Sequence, residues 1–252
     1  MKRILVSTVT GTWPRVVMIV FFAELVYLFV GMTIPVSQST INQISSQNSS
    51  LASTVASLAF LPRAFYIFFN NFRLGAIEIV PVLGWFIFGY SIYNTALAIE
   101  VLGIVQHIPG VLISFTLLTQ PHTWLELPSY AIATTQSFYL VSTVARRNRF
   151  RFEAARTGVI IVAVAIELIL AALLESLEIS LLSSLVLDFL IPWAIFALLI
   201  GLLLAGRRWV LRSYYREQLA SMPSIANHFC PSCGSSLPEG ANYCTNCGQK
   251  AP

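Results

Sequence analysis

Between Val16 and Ala205 the chain runs repeatedly on Val, Ile, Leu, Phe and Ala with scarcely a charge. Each run lasts about 20 residues, enough for a helix to cross a hydrocarbon core about 30 Å thick. No other feature restricts the backbone so strongly. In lipid every amide must find its partner inside the protein, so apolar segments of this length fold as helices. Composition agrees: of 252 residues 56% are hydrophobic and 10% are charged, against about 25% charged in ordinary soluble domains. The expected fold is all-α, a polytopic transmembrane helical bundle followed by a small C-terminal module.

Residues 1–15 read as a cytoplasmic lead carrying Lys2, Arg3 and Arg15, with no signal-peptide cleavage pattern after them. The helical domain covers 16–206. Its first span, Val16–Val36, holds a single ionisable residue, Glu24. Residues 37–50 change to uncharged Ser, Thr, Asn and Gln and read as an external loop; the sequon Asn48-Ser49-Ser50 is a triplet common by chance. Residues 51–72 are apolar but interrupted by Pro62-Arg63 and Asn70-Asn71. On a helix Arg63, Tyr66, Asn70 and Arg73 fall along one side, which suits an amphipathic helix lying in the interface. Further spans are expected near Leu74–Tyr93, Val101–Thr119, Leu127–Ala145, Gly158–Leu177 and Ser183–Ala205, about six with the first.

The positive-inside rule favours that scheme. It puts Lys2, Arg3, Arg15, the Arg146–Arg156 cluster, Arg207–Arg216 and Lys250 inside, and only Arg63 and Arg73 outside. A seventh span at 51–72 would turn both Arg-rich loops outward. Residues 207–227 form a basic, Tyr-containing juxtamembrane helix and linker. They suit an anionic inner leaflet, or serve as a plain stop-transfer flank. The chain is expected in the cell membrane, multi-pass, with both termini cytoplasmic and membrane lipids as neighbours.

Ionisable groups inside spans are costly, and this makes them functional candidates. Under this topology Glu78, His122, Glu126, Glu175, Glu178 and Asp188 lie near the outer side. Arg156, Glu167 and Glu178 recur every eleven residues and line one stripe of a helix. They could bound an outward-facing acidic cavity for a cation or for the polar part of a lipid or glycan, or could be solvated among headgroups. In the turn Thr119–Pro128, Pro121 can open a helix, His122 and Glu126 fall one turn apart on one face, and Pro128 would kink the next span. The pair could serve metal or acid/base chemistry, or could simply close the turn by hydrogen bonding. Asn70, Asn71 and Asn94 are further polar candidates beside spans.

All four cysteines fall in the last 23 residues. Cys230-Pro-Ser-Cys233-Gly234 and Cys244-Thr-Asn-Cys247-Gly248 are two C-x-x-C knuckles, each supplying two thiolates from one tight turn. Together they complete a tetrahedral site for one structural Zn2+, with a redox dithiol as the alternative. His228 is surplus to that ligand set. Residues 228–252 resemble the short zinc ribbons at the termini of many microbial proteins. Between Cys230 and Pro252 the only basic side chain is Lys250, which argues against nucleic acid as a partner; a small docking knob or a capped tail is expected.

The ordered set Asn70-Asn71, Asn94, Pro121-His122 and Glu126-Leu127 resembles the stage II sporulation protein M family of integral membrane proteins, over roughly 60–139. The family usually has Gly where this chain has Thr95 and Thr123. The resemblance implies a membrane anchor or scaffold for separate wall enzymes in a peptidoglycan-remodelling complex. Similar proteins, some with zinc ribbons, occur in organisms that make no spores. The expected function is therefore a non-enzymatic scaffold or assembly component of a cell-envelope complex, with protein partners and with room for a homo-oligomer. A permease- or channel-like protein is the alternative, and an intramembrane hydrolase using His122 and Glu126 ranks below it.

Overall fold

The computed structural model describes residues 4, 6, 8, 12–147, 150–181, 185–221, 230, 232, 233, 235, 237 and 242–250. They divide into two compact units, 1–207 and 208–252. Named in chain order, the helices are α1 (Trp13–Gly31), α2 (Gln38–Ser57), α3 (Phe60–Glu78), α4 (Leu83–Gln106), α5 (Gly110–Leu118), α6 (Thr123–Arg146), α7 (Phe150–Leu181) and α8 (Leu185–Ser221).

Among the described residues four helical segments are long and apolar enough to cross a membrane: Trp13–Gly31, Leu83–Gln106, Phe150–Leu181 and Leu190–Tyr214. That is fewer than the six spans expected, for three local reasons. The stretch expected as Leu74–Tyr93 is divided, because α3 ends at Glu78 and α4 starts at Leu83. The stretch expected as Val101–Thr119 is divided where His107 turns left-handed (φ 57) ahead of Pro109, leaving α5 only 9 residues long. The stretch Leu127–Ala145 does lie in one helix, the 24-residue α6, but that helix is polar. Its buried residues include Ser129, Thr134, Thr135, Gln136 and Ser137. α6 packs against α1, α3, α4, α5 and α7, so its hydroxyls and amide face protein instead of lipid.

Of residues 37–50, expected as a loop, all but Ser37 are helical. Ser37, in an extended conformation, opens α2 by accepting a hydrogen bond from the Thr40 amide at 3.3 Å, which satisfies one orphan donor of the first turn. Farther along, the hydroxyls of Ser49, Ser53 and Thr54 bond back to carbonyls of their own helix. Nothing on α2 is buried, so no apolar periodicity marked it. The expected interfacial helix 51–72 is likewise split. α2 closes at Ser57, Leu58 and Ala59 run extended, and α3 begins at Phe60. Pro62 falls in the first turn of α3, where its missing N–H costs nothing.

Arg63 was expected on a headgroup-facing side, yet it is buried. Its guanidinium donates to the carbonyls of Val55 (3.0 Å) and Leu58 (2.7 Å) at the end of α2, and to Ser176 O and Ser180 Oγ on α7. The cation thus sits at the carbonyl-rich end of α2, where the helix dipole favours it. On α1, a Cβ placed at Gly31 would meet the Ala96 Cβ of α4 at 2.7 Å. The small residue therefore permits the close approach of these two helices.

The α3–α4 connection is tight. Val82 takes φ 68, ψ −57, and the Leu83 N–H donates to Pro81 O at 2.8 Å. This is a γ-turn of the strained hand, unusual for any residue and more so for a β-branched one. The Val80 carbonyl there accepts from the Ser137 hydroxyl of α6 at 2.9 Å.

Candidate functional site

The polar side chains of the bundle are divided between a ladder and a chamber. The ladder joins α6 to α7. Residues seven apart on α6 complete two helical turns and residues eleven apart on α7 complete three, so each set keeps one face. The rungs are His122 with Glu178 (Nδ1 to Oε2, 2.5 Å), Ser129 donating to Glu167 (2.8 Å), and Arg156 donating to Gln136 (3.4 Å). Arg156 also pairs with Glu153 at 3.0 Å and lies 4.7 Å from the centre of the Tyr139 ring. The eleven-residue stripe of Arg156, Glu167 and Glu178 therefore faces α6 along its whole length.

His122 is the N-cap of α6, one residue after the expected helix-opening Pro121. Its partner Glu178 lies on α7, whereas Glu126 accepts a hydrogen bond from Asn71 of α3. The two members of the turn thus share a face but hold different helices. The turn also receives the indole N–H of Trp193 on α8, which donates to Thr119 O at 3.0 Å.

The chamber lies between α1, α3, α4 and α6. It is a cavity of about 220 Å³, and its polar wall includes Glu24, Asn70, Asn71, Ser91, Glu126 and Tyr130. A second cavity of about 170 Å³ adjoins it, and Asn70, Asn71 and Glu126 belong to both walls. Glu175 lines this second space. Beyond it lies an open groove of about 630 Å³ bounded by Tyr66, Phe69, Asn70 and Arg73. The Asn71–Glu126 hydrogen bond is thus part of the partition between the two cavities. Within the bundle Glu24 is only 2% exposed, and its Oε2 has no hydrogen-bond partner. Glu78 is fully buried at the end of α3. It accepts from the Ser91 hydroxyl at 3.2 Å, while its Oε2 has no partner.

Of the polar candidates, Asn70, Asn71 and Glu126 meet at the chamber wall, and Glu78 reaches it through Ser91. Glu167 belongs to the ladder instead. Asn94 joins neither, since its amide donates to Tyr90 O of its own helix at 2.7 Å. Asp188 falls within α8, but its side chain lies outside the described residues, as does His228. Glu24 was not among the candidates. Its signal was present, as the lone ionisable residue of an apolar span. Glu178 acquires significance only as the partner of His122.

In the C-terminal unit the four cysteine sulfurs all lie within 4.8 Å of one another. Cys230 and Cys247 are 3.6 Å apart, as are Cys233 and Cys244, and none forms a disulfide. Four sulfurs at about 2.3 Å from one zinc ion would be separated by about 3.8 Å, so the set matches a tetrahedral zinc site. The two knuckles repeat one backbone pattern: Cys230 N–H donates to Ser235 O (2.8 Å), and Cys244 N–H to Gln249 O (2.7 Å). Gly248 has φ 69, the conformation for which the residue after the knuckle needs glycine. Gly234 lies outside the described residues. Tyr243 and Lys250 form an antiparallel bridge, and Leu237 packs against Cys230 and Cys244. A hydrogen bond with Ser235 holds the Cys233 thiol down to about 6, toward the thiolate that a metal requires.

Comparison with known proteins bears on this unit. The zinc-ribbon domain profile matches residues 229–250. No curated protein and no solved structure matches the chain. The chain is a helical, membrane-type protein that carries a zinc ribbon near its C-terminus, with a cysteine set consistent with one structural zinc ion.

Proposed function

We propose that the chain is a non-enzymatic, multi-pass component of the cell membrane that holds protein partners in a cell-envelope assembly, its two termini cytoplasmic and its zinc ribbon a docking module. The observation that carries this is the way the turn's chemistry is used. His122 bonds to Glu178 of α7 and Glu126 to Asn71 of α3. The side chains that would form an acid/base pair are instead the ties joining α3, α6 and α7. Basic residues flanking the spans favour the cytoplasmic termini, and the sparsely basic ribbon favours a protein partner over nucleic acid.

The test is complex size. Solubilised gently from its native membrane, the wild-type chain should migrate in an assembly larger than its own micelle. A variant lacking residues 228–252 should leave that assembly while keeping its helical content. If the wild type migrates alone, or the truncated chain stays assembled, docking through the ribbon is wrong. A permease-like role is the second reading, favoured by the adjoining cavities at Asn71 and Glu126. Cation flux into liposomes holding the purified protein would establish it.

A further inference from the structure

We propose that the chamber between α1, α3, α4 and α6 binds one hydrated divalent cation of the Mg2+ type, with Glu24 and Glu126 as its balancing carboxylates. The inference does not rest on the assembly role and concerns a different site from the zinc ribbon.

Three observations converge on it. First, the polar wall offers oxygen: the carboxylates of Glu24 and Glu126, the carbonyl oxygens of Asn70 and Asn71, and the hydroxyls of Ser91 and Tyr130. Neither His nor Cys lines this cavity, and neither does Lys or Arg. Oxygen donors without nitrogen or sulfur select hard cations, and no basic side chain lines the cavity beside its two carboxylates. Second, Glu24 is 2% exposed and its Oε2 lacks a partner. A buried carboxylate oxygen left in this state is costly, and Glu24 is one of the residues lining the cavity. Third, the dimensions suit an ion that keeps its water. The cavity is about 220 Å³, and a water occupies about 30 Å³ of liquid, so an ion with about six waters fits.

Direct coordination by several carboxylates is disfavoured. Among the described residues the four cysteines alone bring three or more Cys, His, Asp or Glu ligand atoms within 4.8 Å of one another. Mg2+ sheds water reluctantly and is commonly held by one or two carboxylates through a partly retained shell, which is the arrangement available here.

Mn2+ is the probe, measured by loss of its free electron paramagnetic resonance signal on the zinc-loaded, full-length protein in nanodiscs of uncharged lipid. The wild type should take up one Mn2+ per chain, displaced by Mg2+ and unaffected by equal concentrations of Na+ or K+. Glu24→Gln and Glu126→Gln should each weaken binding at least tenfold with zinc content unchanged, and Glu24→Asp should keep most of it. If Glu24→Gln fails to fold, Glu126→Gln and Glu24→Asp decide. No Mn2+ uptake by the wild type, undiminished uptake in the folded Gln variants, or displacement by Na+ or K+ would each overturn the proposal.

Discussion

The zinc ribbon and the bundle's polar interior both gather reactive side chains, yet they are built in opposite ways. In the ribbon, two short knuckles each fold on themselves, and Cys230 and Cys244 repeat the same amide-to-carbonyl bond five residues on. Each knuckle presents half of the ligand set from its own turn, and the two need only meet each other. In the bundle, Asn71 meets Glu126 and His122 meets Glu178 across 55 and 56 residues. In both pairs the partner is supplied by another helix. A site made of local turns depends on its own few residues and its metal, whereas a site made between helices is coupled to the stability of the whole bundle.

That contrast can be broken by experiment. The largest effect is expected from Cys230→Ser or Cys244→Ser, which should take bound zinc from about one ion per chain to none by elemental analysis. Acidification should release it too, because zinc binds deprotonated thiolates. The cysteine substitutions should not move the thermal unfolding of the helical unit; if they lower it, the ribbon is not an independent site.

Next comes His122→Ala, which leaves the buried Glu178 carboxylate without its partner. Its Oε1 already has none. A loss of about 3 kcal/mol is expected, read as a lowered unfolding midpoint in detergent. The double variant His122→Leu/Glu178→Leu should recover part of that loss, since removing both partners spares the orphaned charge. Additive losses would mean that the two groups act separately.

Ser129→Ala, one rung along the same ladder, should cost about 1 kcal/mol. The smallest change belongs to the surface. Ser37→Ala removes the cap of α2 and should cost about 1 kcal/mol or less, confined to faster amide exchange over residues 38–45. A global loss of stability there would show that α2 is more tightly integrated than its exposure implies.

The same contrast explains what could be read from the chain. Knuckle spacing carries the zinc site because the ligands are adjacent and the geometry is local. The eleven-residue recurrence of Arg156, Glu167 and Glu178 was also readable, since a stripe is a property of one helix. Which helix the stripe would meet was not, because that depends on packing. Hydropathy counted α6 as a span of ordinary kind. Its Ser129, Thr134, Thr135, Gln136 and Ser137 in fact face neighbours on several sides, a position that no single segment reveals. α2 was invisible for the converse reason: it buries nothing, and its one mark was the Ser37 cap. Arg63 read as a cation on the polar side of an interfacial helix, although most of its partners are backbone carbonyls, which leave no trace in side-chain chemistry.

The γ-turn at Val82 bears on where water ends. Residues 79–83 are Ile, Val, Pro, Val and Leu, so the reversal offers solvent no polar side chain, and Val80, Val82 and Leu83 present their apolar surfaces outward. Several of its amides bond locally: Val80 N–H donates to Ile77 O, Leu83 N–H to Pro81 O and Gly84 N–H to Val80 O. A reversal that bonds much of its backbone locally and shows solvent only apolar side chains needs little water. The end of α3 is therefore no landmark for the edge of the bilayer.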